Sequence, residues 1–349
     1  MTEHLIRLSP AEYINQVGIL KKLPEIIKQH GYQNPVVLTD TTVREIIPDY
    51  LPDNFLDNYP LSLFSGNATK KEIKRLTGLL KGYDLILAFG GGQLMDTAKV
   101  VADNLRIALI NIPTLPSNCA ALTTKSILYS EQGHEMIGAH RQSQAVTMVL
   151  LEPKLLQNAP EPYVLSGIGD TLAKFYEIRL RLTDDKLDLV TAAISRQYLD
   201  ICRDEILKVG DYRELDRTQL INFLDTIFLI AASVDGLANL DGRSVLAHAF
   251  YNAYMKYQTG KKKTHGEVVA LGNLFQLHLE GNQVELLKEL EDYHQRIGLP
   301  LTIKDIYLDS QYLEDMANYI AQPDNIRVQT IFPNINSQEI LSALEKLEI

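Results

Sequence analysis

With 349 residues, 46% of them hydrophobic, the chain can bury a large core without disulfide or metal staples, so any metal it binds is there for chemistry. A formal net charge of -10 argues against nucleic acid as a partner, because such proteins need a basic footprint. Two cysteines, Cys119 and Cys202, make no disulfide framework, the start MTEHLIRLSP does not read as a signal peptide, and no stretch reads as the roughly 20 apolar residues of a membrane span. The expectation is a cytoplasmic protein with no membrane partner.

At roughly 150 residues per domain, the length predicts two domains. Residues 35–40 form a short β-branched run ending in Asp40, and residues 70–81 carry a helical pattern rich in Lys and Leu. The apolar run Asp84–Phe89 is too short for a typical helix and stops at three glycines, so it predicts a buried strand. Residues 93–104 then place Leu94, Ala98, Val101 and Ala102 at helical spacing, and Ala108–Ile112 is the next strand, closed by Pro113. Residues 124–130 and 146–151 predict two more strands, with turn chemistry over 130–133. Strands alternating with helices imply a parallel sheet with crossover helices. From Tyr163 onward the patterns are amphipathic and helical. The reading is an α/β domain over residues 1–155 and an all-α domain over 156–349.

Where the strand ending at Phe89 gives way to a helix, Gly90, Gly91 and Gly92 let the backbone approach a phosphate, and the first free N–H groups of that helix point at it. In isolation a tight strand-to-helix turn explains these glycines equally well. Asp40 could accept hydrogen bonds from an adenosine ribose and disfavour a 2′-phosphate, although a lone Asp at a strand end is more often a helix cap. The loop Pro113–Cys119 follows a strand at the carboxyl edge, where open α/β sheets bind ligands, although taken alone it reads as a loop rich in turn formers.

Of 8 histidines, His4, His30, His134 and His294 lie in polar surroundings, whereas His248 is surrounded by Val245, Leu246, Ala247, Ala249 and Phe250 on a predicted helix. His265 opens another helix, and Asp170 follows two glycines at what reads as a helix start, where a cap is the ordinary role. Together they offer one carboxylate and two imidazoles, a set that suits zinc and leaves a position open for substrate. The basic run Lys261–Lys263 reads as a solvated loop, with positive potential for an anionic substrate as the sharper alternative.

Five segments in order now carry a resemblance: Gly90-Gly91-Gly92 with Asp96-Thr97-Ala98-Lys99, Pro113-Thr114, residues 167–174 (GIGDTLAK), Ala247-His248-Ala249 with Asn252, and His265-Gly266-Glu267. Over nearly its whole length the chain resembles the glycerol-dehydrogenase-like branch of the iron-containing alcohol dehydrogenase superfamily. The resemblance implies a Rossmann-like NAD-binding domain, an all-α metal-binding domain of the dehydroquinate synthase-like fold, a cleft between them, and a homo-oligomer. It places Asp170, His248 and His265 on metal-ligand positions, for zinc or iron. The cofactor-binding set it implies is Asp40, Gly91, Gly92, Gln93, Asp96, Thr114, Ser117, Thr123, Lys125 and Tyr129.

Two departures bear on the substrate. Cys119 stands where glycerol dehydrogenases carry an Asp that helps bind the polyol, and Tyr251 stands where they have the second histidine of His-x-x-His. Losing a carboxylate there removes a hydroxyl acceptor and a repulsion against a substrate carboxylate. Cys119 resembles the hydroxycarboxylate dehydrogenase branch, so a small 2-hydroxy or 2-oxo acid is the expected substrate. Cys119 and Tyr251 are the candidate catalytic residues, Tyr251 for proton relay. The alternatives are glycerol dehydrogenase, a dehydroquinate synthase-like lyase, toward which Lys125 points weakly, and a non-catalytic NAD-binding relative.

Overall fold

Short apolar runs with β-branched residues build the first half of the chain, which we describe from a computed structural model covering residues 5–131, 136–258 and 260–348. Six of these runs form one sheet: β1 (Glu12–Asn15), β2 (Pro35–Thr39), β3 (Leu61–Leu63), β4 (Leu85–Gly90), β5 (Ala108–Pro113) and β8 (Met148–Leu151), the last numbered after the two strands of a separate ribbon. Their order is β1-β8-β5-β4-β2-β3 and every neighbouring pair is parallel. Every residue of β2, β4 and β8 is buried, as expected of strands covered on both faces. β1 and β3 escape sequence reading, one because it is polar and the other because it has only three residues.

Residues 125–129 depart from expectation. They form a strand, β6 (Lys125–Tyr129), but it pairs antiparallel with β7 (Met136–Arg141) in its own two-stranded ribbon. The reason is its pattern: much of the ribbon is exposed or half-exposed, whereas a strand inside the parallel sheet must be apolar on both faces. Gln132 and Gly133 of the expected turn, together with His4 and His134, lie outside the described residues.

From β2 the chain steps outward to β3, then returns to β4 and continues the other way through β5 and β8. The carboxyl ends of β2 and β4 therefore flank a topological switch point, where sheets of this kind leave a crevice. Two helices start there: α1 (Thr41–Ile46) after β2 and α3 (Gly92–Leu105) after β4, with α2 (Lys70–Leu79) between them in sequence. On α3 the residues expected to face the core, Leu94, Ala98, Val101 and Ala102, are all buried.

The described residues cluster into two units, Arg7–Ala159 with Arg213–Gly236, and mainly Pro160–Tyr212 with Leu237–Ile349. The division expected at residue 155 thus leaves out a returning segment. Its Asp225 accepts hydrogen bonds from Tyr13 Oη at 2.6 Å and Asn15 Nδ2 at 2.8 Å on β1, and its Asp235 pairs with Lys125 at 3.1 Å. Partners more than a hundred residues away leave no local trace in the sequence. The stretch Arg217–Gly242 is long and apolar enough by composition to cross a membrane, which corrects the expectation that none is, although half of its most apolar window is buried inside the protein.

The second unit is helical. It is built around α4 (Glu161–Ile178), α5 (Leu246–Tyr257) and α6 (His265–Glu280), followed by α7 (Val284–Ile297). Residues 164–173 of α4 are buried all round, the signature of a central helix.

His294 on α7 corrects the reading of polar surroundings: it is fully buried, beside Leu290 and Tyr293 on the inner face of its helix. Its Nδ1 donates to Pro300 O at 2.8 Å, while its Nε2 is buried without a partner. Burial pushes its pKa down to about 4, outweighing the bond to Pro300. Below pH ~6.5 the unfolded chain takes up a proton that the folded protein refuses, so stability falls with pH until about pH 4. The drop across that window is roughly 3 kcal/mol. Urea unfolding at pH 7 and pH 4.5 should show it in the wild-type protein, with a much smaller pH dependence in His294→Gln.

Candidate functional site

Asp170 lies in the middle of α4, not at a helix start as its glycines imply. Gly167 and Gly169 do not break the helix. A Cβ on Gly169 would overlap the Gly266 carbonyl, and one on Gly266 would overlap the Ser166 carbonyl, so the missing side chains let α4 and α6 meet backbone to backbone. The same device brings α5 against α6, because a Cβ on Gly272 would come within 2.7 Å of the Ala247 carbonyl oxygen. Each close approach is next to a candidate ligand: Gly169 to Asp170, Gly266 to His265, Ala247 to His248.

The three side chains expected to share a site do come together. Nε2 of His265 is 3.3 Å from Asp170 Oδ1, and Nε2 of His248 is 3.4 Å from the same oxygen. One ligand atom from each residue lies within 4.8 Å of the others. Ligands about 2.0–2.1 Å from a tetrahedral ion stand roughly 3.3–3.4 Å apart, so two edges of this group have the spacing a small divalent ion requires. Asp170 is 6% exposed, whereas the imidazoles are half-buried, which leaves the group open on one side.

Sequence reading missed the residue that orients His248. Glu177, two turns along α4 from Asp170 and 1% exposed, accepts from the backbone N–H of Val245 at 2.7 Å and of His248 at 3.1 Å. Its other oxygen is 2.6 Å from His248 Nδ1. Val245 offers no cap of its own, so Glu177 caps α5 from a neighbouring helix, where a negative charge is favoured. One turn further on, Arg181 holds the carbonyls of Arg243, Ser244 and Arg327.

Burial alone would raise Asp170, but hydrogen bonds from His248 and His265 and the charges of His265 and Lys174 hold it well below the usual carboxylate range. Burial would likewise lower His248, yet the Glu177 charge and the bonds to Asp170 and Glu177 raise it to about 9. Near neutral pH two buried carboxylates thus hold a proton on an imidazole, which is the electrostatic setting in which a divalent cation displaces that proton.

His265 opens α6 under a capping box of Thr264 and Glu267, and Lys263 pairs with Glu267 at 2.8 Å. Part of the basic run is therefore engaged, with Lys261 also lying 4.4 Å from the Tyr307 ring centre. The Tyr251 ring stands edge-on to His265, with centroids 4.3 Å apart.

Comparison with known proteins adds several likenesses. The model for iron-containing alcohol dehydrogenase matches residues 10–153. Hydroxycarboxylate dehydrogenase A of Escherichia coli K12 is 29% identical over 337 residues, covering 93% of this chain and 90% of that protein. The chain is thus similar to iron-containing alcohol dehydrogenases over residues 10–153, and over nearly its whole length to named dehydrogenases. It is an oxidoreductase. A glycerol dehydrogenase of Thermotoga maritima is 26% identical, covering 88% of this chain and 86% of that one. The solved glycerol dehydrogenase of Schizosaccharomyces pombe has the same fold, with a TM-score of 0.81 at 22% identity over 100% of this chain and 91% of that one.

The residues expected around a dinucleotide divide into two groups. At the switch point, Gly91 caps α3 with no side-chain bond, so the first N–H groups of that helix are not taken up by a capping side chain. A Cβ on Gly92 would come within 2.9 Å of Asn118 Nδ2, so a larger residue there would have to displace the end of that side chain. At the end of β2 and just after β5, Thr39 Oγ1 and Thr114 Oγ1 are buried without partners. Ser117 and Cys119 are buried in the loop after β5. Asp40 caps α1, accepting from Val43 N at 2.8 Å through one oxygen.

The second group is committed within the protein. Asp96 pairs with the buried Lys99 at 3.0 Å and accepts from Ile127 N at 3.1 Å, which ties α3 to the ribbon. Lys99 also donates to Thr123 Oγ1 at 3.0 Å and Lys125 O at 2.6 Å. Gln93 accepts from Ala68 N at 2.9 Å, and the Lys125 side chain pairs with Asp235. Tyr129 differs, since its contact with Ala68 O at 3.0 Å is made by its backbone N–H and does not engage its side chain.

Proposed function

We propose that the protein is an NAD-dependent dehydrogenase that interconverts a small 2-hydroxy acid and the corresponding 2-oxo acid, with a divalent metal, zinc for preference, on Asp170, His248 and His265. The observation that carries the reading is the convergence of both imidazole Nε2 atoms on one buried carboxylate oxygen, at 3.3 Å and 3.4 Å. One Asp with two His is a donor set that zinc accepts with a coordination position to spare. For NAD the support is the uncapped start of α3 at the switch point and the buried, unpartnered hydroxyls of Thr39 and Thr114. Gly91, Gly92, Thr114 and Ser117 are the residues we assign to the cofactor, with the second oxygen of Asp40 toward the ribose. Asp96, Gln93, Thr123 and Lys125 serve as its scaffold.

When bound, the metal supplies Lewis acidity toward the substrate oxygen and the nicotinamide supplies the hydride chemistry. The chain's own residues do the rest. Asp170 brings the negative charge that holds a cation, and His248 and His265 set the geometry from two other helices. Tyr251 fixes the plane of His265 by ring contact. Its own phenol is pushed up to about 12, by burial first and by Tyr254 second, so it keeps its proton at working pH and acts as a donor. Cys119, 5% exposed, is a neutral side chain where glycerol dehydrogenases are expected to carry an Asp, which supports a substrate bearing a carboxylate. Cys119 and Cys202 are buried and form no disulfide with each other, which suits a reducing compartment such as the cytoplasm.

The test is a spectrophotometric screen of zinc-loaded protein and NADH against small 2-oxo acids, dihydroxyacetone and simple aldehydes. Preferential turnover of 2-oxo acids, abolished by a chelator, is the expected result. Turnover of dihydroxyacetone alone would make it a glycerol dehydrogenase, as several relatives are named. Tight NAD and metal binding with no NADH turnover would point to the lyase or a non-catalytic role.

A further inference from the structure

Glu177 does two things at once, and the second has a chemical consequence. As a cap it needs only one oxygen, and Oε1 alone accepts from both Val245 N and His248 N. Oε2 is left for the imidazole of His248, whose Nδ1 it meets at 2.6 Å. A carboxylate has no proton to give, so this contact requires the proton on Nδ1. The neutral ring then carries its lone pair on Nε2, the atom that points at Asp170.

We infer that Glu177 is a positioning residue that selects the ligating tautomer and ring orientation of His248, and so sets metal affinity without touching the metal. The inference rests on the metal-centre reading of Asp170, His248 and His265. Both ends of the contact are fixed. Glu177 is on the same buried helix as Asp170, so the helix that presents the carboxylate ligand also orients an imidazole ligand. Arg181 on the next turn holds the backbone just before α5 through the Arg243 and Ser244 carbonyls. The ring is thus oriented from its side chain and its backbone by one stretch of chain. Partners of this kind typically govern metal affinity by 10–100-fold.

Glu177→Gln separates the two roles. The amide oxygen can still accept from Val245 N and His248 N, while its NH2 faces Nδ1 and favours the wrong tautomer. Metal affinity is read by zinc competition with a chromophoric chelator, and the fold by circular dichroism. The cobalt-loaded protein then gives the exchangeable imidazole N–H resonances. A 10–100-fold weaker Kd, with the His248 N–H signal lost and that of His265 retained, is the expected outcome. Partial recovery of Kd in Glu177→Asp would support it further.

Gln276→Leu is the structural control, since Gln276 Oε1 accepts from Leu246 N at 3.3 Å on the same helix start. It should lower the melting temperature and leave the Kd near wild type. The inference is overturned if Glu177→Gln binds zinc within twofold of wild type, or if Gln276→Leu weakens binding as much. Should Glu177→Gln not fold, the holo wild-type protein decides alone: an imidazole nitrogen spectrum with His248 protonated on Nε2 overturns the inference. Wild-type protein that binds no divalent metal overturns the metal-centre reading itself, a result distinct from all of these.

Discussion

His265→Ala should lose at least about a thousandfold in kcat at saturating substrate while keeping its fold and its affinity for NADH. A Lewis acid aimed at a substrate oxygen contributes several kcal/mol to the transition state, and roughly 4 kcal/mol corresponds to three orders of magnitude. The remaining pair, Asp170 and His248, offers too few donors to hold zinc in a rigid site. The fold should survive because the imidazole does not secure its helix. Thr264 and Glu267 form the capping box at the start of α6, and Lys263 supports Glu267. The His265 side chain is 30% exposed, and alanine is well tolerated in a first helical turn. Steady-state kinetics with metal in excess, a thermal melt and NADH fluorescence titration together check the prediction. Turnover of His265→Ala within tenfold of wild type under those conditions would refute the assignment.

Gly266→Ala should be the more damaging substitution although it adds one methyl group. The new Cβ would overlap the Ser166 carbonyl, and backbone cannot rotate aside as a side chain can. The helices α4 and α6 must separate, and with them Asp170 and His265, whose neighbours form the contact. Overpacking in a filled core typically costs about 1–3 kcal/mol, and a backbone-to-backbone clash belongs at or above the upper end. Urea unfolding should therefore shift by about 3 kcal/mol or more, and zinc affinity should fall in the folded fraction. Gly210→Ala is the matched control, since Gly210 is exposed with nothing within 4 Å of its Cβ position, and it should be neutral or slightly stabilising. Unchanged stability in Gly266→Ala would mean that the two helices are not in backbone contact.

The two predictions separate the ligand from the packing that delivers it. Removing His265 takes a donor from an intact framework, whereas enlarging Gly266 leaves all three donors in place and moves their supports apart. An activity loss shared by both variants, with a stability loss in only one, is the joint signature expected of a site assembled by helix contact.

Much of the fold was legible in local sequence. The β-branched run at 35–39, the apolar run ending at Gly90 and the helical spacing of Leu94, Ala98, Val101 and Ala102 each carry their own period, and each formed the expected element. The candidate site was legible in part, because residue type and order along the chain are enough to mark Asp170, His248 and His265. What local pattern could not supply was the partner of each charged group. Asp96 looked like a ligand residue beside the glycines, yet it is held by Lys99 and Ile127. Asp170 looked like a cap, because a glycine that breaks a helix and one that lets a second helix approach are written identically. Glu177 looked like any helical glutamate, since the ring it orients is 71 residues away. By itself the sequence determined the elements and the chemical inventory, since periodicity and residue type act over a few neighbours. Tertiary structure alone decided which carboxylate meets two imidazoles and which is paired within the scaffold, since that depends on backbones brought together across many residues by packing.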